Sequence, residues 1–99
     1  MYVIVQHTIK DPEVAFTRGQ RLMVNDGAPE GTQVMQFLPS EDGTAVTCLW
    51  TSDSVGSVQQ YVDDVLGSSS DNVCYSVDAE HAFAAAPKGL RPPPVKVAA

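Results

Sequence analysis

Ninety-nine residues, 43% of them hydrophobic, suffice for one domain with a small core. Twelve acidic residues stand against six basic ones, a net charge of −6, and before Pro87 only Lys10, Arg18 and Arg21 oppose all twelve acids. Such a body repels phosphates, which argues against nucleic-acid binding, and no stretch approaches the roughly 18 to 20 apolar residues of a membrane span.

The chain opens with Met1-Tyr2-Val3-Ile4-Val5-Gln6-His7. This has neither the basic flank nor the length of a signal peptide, so a cytoplasmic location is expected. Met1 to Ile9 is rich in β-branched residues and predicts a first strand. Its greasier side carries Met1, Val3, Val5, His7 and Ile9. Asp11-Pro12-Glu13 then combines a helix cap, a first-turn proline and an acid at the positive helix end. A helix from Pro12 to Val24 is predicted, followed by a turn-rich loop from Asn25 to Gly31.

Thr32 to Leu38 predicts the second strand and Thr44 to Thr51 the third, with Asp42-Gly43 as the hairpin signal between them. The second helix is the clearest element. Val55, Val58, Val62, Val65 and Leu66 form one apolar stripe, and Gly67 supplies a stop. A fourth strand is expected from Asn72 or Val73 to about Val77, with an extension towards Phe83 allowed. Residues 87–99 contain Pro92-Pro93-Pro94 and predict an extended basic arm outside the 1–86 domain.

The order βαββαβ implies an α+β, ferredoxin-like domain. It has a four-stranded antiparallel sheet in the order 4-1-3-2, with both helices on one face. On the other face, regular alternation places Tyr2, Ile4, Met35, Phe37, Ala45, Leu49 and either Tyr75 or Cys74. An uncovered apolar face of this kind predicts a homodimer joined sheet to sheet. Cys48 and Cys74 fall on the two strands that flank the first. Their Cα atoms are then roughly 10 Å apart, too far for a disulfide within one subunit.

Thr47-Cys48-Leu49-Trp50-Thr51-Ser52-Asp53-Ser54-Val55, a strand ending in Trp that leads into a valine-striped helix, resembles the dimeric α+β barrel superfamily. The likeness is to the antibiotic-biosynthesis monooxygenases with their haem-degrading relatives, and to the small nickel-responsive barrels. It implies a ligand pocket between sheet and helices and, on the monooxygenase side, chemistry that needs no added cofactor. Where such enzymes pair the Trp with a His in the second helix, this chain has Gln60 and Tyr61, and where they use an Asn late in the first strand it has His7.

His7 is the candidate proton carrier, because imidazole titrates near neutrality. Antiparallel pairing sets it near Val46 and roughly 13 Å from Trp50, at two ends of one pocket. Gln36, Trp50, Tyr61 and Tyr75 are the candidate ligand-binding residues. The expected function is binding of a small hydrophobic or aromatic molecule, with or without catalysis, and with no bound cofactor. Two alternatives stand beside it: a metal site formed by His7, Glu80 and His81, and a non-enzymatic module whose basic arm docks on an acidic protein surface. There is no phosphate-binding glycine loop, no Cys-x-x-Cys and no nucleophile elbow.

Overall fold

The computed structural model describes residues 1–95, so the last four positions of the expected arm lie outside the described residues. The elements are β1 (Tyr2–Ile9), α1 (Pro12–Met23), β2 (Gln33–Pro39), β3 (Ala45–Thr51), α2 (Val55–Leu66), a single 3-10 turn (Gly67–Ser69) and β4 (Ser70–Ser76). All strands pair antiparallel, in the order β2-β3-β1-β4. This is the expected 4-1-3-2 counted from the other edge, and it is compatible with a ferredoxin-like arrangement. Among the described residues no helix is long and apolar enough to cross a membrane.

Local chemistry explains where the elements start and stop. The Asp11 carboxylate accepts the Val14 N–H at 3.2 Å, with Pro12 in the first turn of α1. Ser54 accepts the Ser57 N–H at 3.0 Å to cap α2. In the β2–β3 hairpin, Asp42 accepts the Thr44 N–H at 3.0 Å, the Thr44 hydroxyl at 2.7 Å and the Ser40 hydroxyl at 2.8 Å, while Gly43 takes φ 76°. These bonds, Thr44 first, hold the Asp42 carboxyl down at about 2.

The core forms on one side of the sheet. Val3 and Val5 of β1, Val46, Cys48 and Trp50 of β3, and Val34 of β2 pack against Leu22 of α1 and the Val58, Val62, Val65 and Leu66 stripe of α2. Cys48 and Cys74 both pair with Val5, from opposite sides, and both thiols are free, as the strand order requires.

Two expectations are corrected. β4 begins at Ser70 rather than Asn72 and ends at Ser76, without an extension towards Phe83, which is 98% exposed. The chain turns away after Val77, whose N–H donates to the Tyr2 carbonyl, and closes a turn in which Asp78 accepts from the backbone of Glu80, His81 and Ala82.

The second correction concerns β2. Val34 pairs with Trp50, but Gln36 pairs with Leu49 and Phe37 with Cys48, so a bulge at Met35 shifts the register. Paired residues share a side of the sheet, and a one-residue slip sends every later side chain to the other face. Gln36 and Leu38 therefore join Leu49 and Thr47 on the open face, and Phe37 turns towards the helices. Regular alternation had given Phe37 and Gln36 the opposite sides.

Candidate functional site

A cleft of about 240 Å³ lies between α1 and the sheet. Its sheet side is formed by His7, Phe37, Val46 and Cys48, and its helical side by Phe16, Leu22 and Met23 of α1, with Leu66 of α2. Phe37 reaches this wall because of the bulge. Gly19 and Ala15 face the cleft from α1, where larger side chains would fill it. The Cys48 thiol is pushed up to about 12, first by burial and then by the neighbouring Cys74, so it contributes a protonated and weakly polar surface.

His7 is 4% exposed and sits between Val46 on β3 and Asn72 on β4. Its Nδ1 lies 2.6 Å from Asn72 Oδ1. The Asn72 amide nitrogen donates to Asp63 Oδ1 at 2.9 Å, and its Oδ1 also accepts from the Ser70 hydroxyl at 2.7 Å. Gln59 donates to the Asp63 carboxylate at 3.1 and 3.2 Å and to the Asn72 carbonyl at 2.9 Å, which ties α2 to β4. Burial lowers the His7 pKa below its usual 6.5, against the opposing pull of the Asn72 bond and the Asp63 charge. The imidazole is thus neutral at pH 7. Its Nε2 has no partner among the described residues and is not one of the sealed, unpaired polar atoms. His7 itself is part of the cleft lining.

The other expected site residues are not gathered here. Trp50 is fully buried and pairs with Val3, four positions along β1 from His7. Its ring meets Tyr61 edge-on, with centroids 5.8 Å apart at 90°. Tyr61 donates its hydroxyl to the Asp26 carbonyl at 2.6 Å, anchoring the loop after α1. Both rings fill the core and neither lines the cleft. The indole N–H has no partner among the described residues. Gln36 lies on the open face through the bulge, and Tyr75, paired with Ile4, lies on that face too, 47% exposed. Of the five candidates, His7 alone stands in the cleft.

The expected metal set is also divided. Glu80 and His81 follow the end of β4, which pairs with the start of β1, whereas His7 is buried near the other end of β1. Asp78, Glu80 and His81 bring ligand atoms within 4.8 Å of one another, but all three are exposed, and His81 Nδ1 already pairs with Asp78 Oδ2 at 2.8 Å.

Asn72, Asp63 and Gln59 were missed from sequence. Asn72 reads as a strand starter and Asp63 as part of a solvated helix face. Only the alignment of β4 with β1 sets Asn72 opposite His7. No protein-family model, curated protein or solved structure matches the chain.

Proposed function

We propose that this protein binds a small, largely apolar molecule in the cleft between α1 and the sheet, with His7 Nε2 as the polar contact. The observation that carries the reading is a neutral, oriented imidazole, with one nitrogen uncommitted among the described residues, in the lining of a pocket walled by Phe16, Leu22, Phe37, Val46 and Leu66. Engineered cavities of about 150 Å³ take up benzene, so about 240 Å³ suits one or two fused rings. An acceptor nitrogen at the end of such a pocket also fits a general base, if the ligand is a substrate. No cofactor enters the reading.

The open face, with Tyr2, Ile4, Leu38, Leu49, Val73 and Tyr75, supports a homodimer joined through the sheets, since a flat apolar sheet matches a copy of itself about a two-fold axis. The α+β architecture and this face are in keeping with a dimeric α+β barrel protein. Two free thiols suit a reducing compartment such as the cytoplasm.

Titration of isotope-labelled protein with naphthol tests the ligand reading. Chemical-shift changes centred on His7, Phe37, Val46 and Cys48 are expected. No change, or changes confined to the open face, would defeat it. Trp50 fluorescence is the poorer probe, because the indole is packed away from the cleft.

A further inference from the structure

Hydrogen-bond bookkeeping around His7 specifies what kind of ligand group the cleft accepts. A carboxylate accepts and never donates, so the Asn72 group 2.9 Å from Asp63 Oδ1 is its amide nitrogen. Gln59 holds that carboxylate in place from one helical turn away on the same face of α2. The Asn72 oxygen then faces His7 and Ser70, and it too can only accept. His7 Nδ1 must therefore carry the proton. In a neutral imidazole the other nitrogen is then a lone pair. The chain Asp63–Asn72–His7 converts a surface carboxylate into a fixed tautomer at the cleft.

The rest of the cleft offers little to compete. Among its lining residues the polar side chains besides His7 are Cys48, a weak thiol donor, and the exposed Gln20 of α1. Neither lysine nor arginine lines it. A carboxylate there would lose hydration and meet a lone pair with no compensating cation. A bare hydrocarbon would leave Nε2 dehydrated and unpaired. A hydroxyl on an aromatic ring satisfies both demands.

We infer that the cleft selects ring-sized apolar molecules bearing a hydrogen-bond donor, phenols being the fitting class, and that Asn72, held by Asp63 and Gln59, is the positioning residue that enforces the choice. The inference rests on the proposed ligand-binding reading and goes beyond it by naming the ligand class and the residues that set it.

The test compares naphthol, naphthalene and naphthoate by calorimetry on the full chain, with nitrogen NMR of the free protein to read the His7 tautomer. Naphthol is expected to bind about tenfold tighter than naphthalene, the worth of one net hydrogen bond, and naphthoate weakest. The free protein should show an unprotonated Nε2. Asp63 is exposed, so Asp63→Asn should fold. It frees the Asn72 amide to turn, should mix the two His7 tautomers, and should shrink the naphthol preference to about threefold or less. Binding of the three compounds without discrimination, or a protonated Nε2 in the free protein, overturns this inference alone. An unchanged tautomer and preference in Asp63→Asn overturns the role of the chain. Binding of none of the three overturns the ligand reading and takes this inference with it.

Discussion

At the scale of single residues, His7 couples the cleft to pH. Its pKa is lowered from 6.5, chiefly by burial. Between that lowered value and 6.5 the unfolded chain binds a proton that the folded chain refuses. Stability therefore rises with pH through this window and is lost on acidification. Urea unfolding followed from about pH 7.5 down to about pH 5.5 should show the loss in the native chain and its absence in His7→Phe. A slope shared by both chains would assign the effect elsewhere. Below the lowered value the folded imidazole itself takes a proton on Nε2 and loses that lone pair, so naphthol affinity should fall there, at the acid end of the range, and not in the window where only the unfolded chain is protonated. The reactive appearance of a residue and its position were separable here. The single Trp and a helix-borne Tyr look like ligand platforms in sequence, yet they pack on each other inside the core, and the less conspicuous Asn72 governs the histidine.

At the scale of elements, the junction between α2 and β4 is under the tightest backbone constraint. Gly67 takes φ 57° and ψ −140°, and a Cβ there would approach Arg18 Nη1 to 2.5 Å. Arg18 in turn donates to the Leu66 carbonyl at 3.4 Å. Gly67→Ala should lower stability by about 1 to 3 kcal/mol, because non-glycine residues pay that strain in such a conformation. Chemical denaturation checks it, and a neutral effect would mean that the junction relaxes. The two helices and the hairpin were legible because each carries local chemistry: the Asp11-Pro12 start, the valine stripe and Asp42-Gly43. The bulge at Met35 was not legible. Gln33-Val34-Met35-Gln36-Phe37-Leu38 contains no glycine or proline of the kind that flags a bulge. Nothing within it marks the extra residue, which follows from how β2 must meet β3.

At the scale of the whole molecule, the sheet divides the chain into a packed side and an open side. Ile4 lies within the open side, with Leu49 and Tyr75 paired beside it. If this face joins two copies, Ile4→Glu should produce a monomer, because a carboxylate would be buried without a partner. Sedimentation of the native chain at dimer mass and of the variant at monomer mass is the expected pair of results. A native chain that already sediments as a monomer would sink the sheet-to-sheet dimer. The naphthol site lies on the opposite side of the sheet, so the variant should keep its ligand affinity unless the cleft depends on the partner copy. The arm passes near the β2 edge, where Leu90 and Pro92 line a groove of about 730 Å³ together with Met35 and Leu38.

The amino-acid sequence by itself determined the element order, the α1 cap, the hairpin turn, the α2 stripe and, through the strand order they imply, the separation of Cys48 from Cys74. These depend on interactions between residues a few positions apart or on chain-crossing rules, and both leave a periodic signal. The site was decided only by tertiary structure. Which way Phe37 points after the bulge and which residue of β4 stands opposite His7 both depend on register. Register is set by the summed packing of distant strands and helices, and a shift of one residue exchanges the two faces of the sheet. The cleft and its oriented histidine are products of that choice.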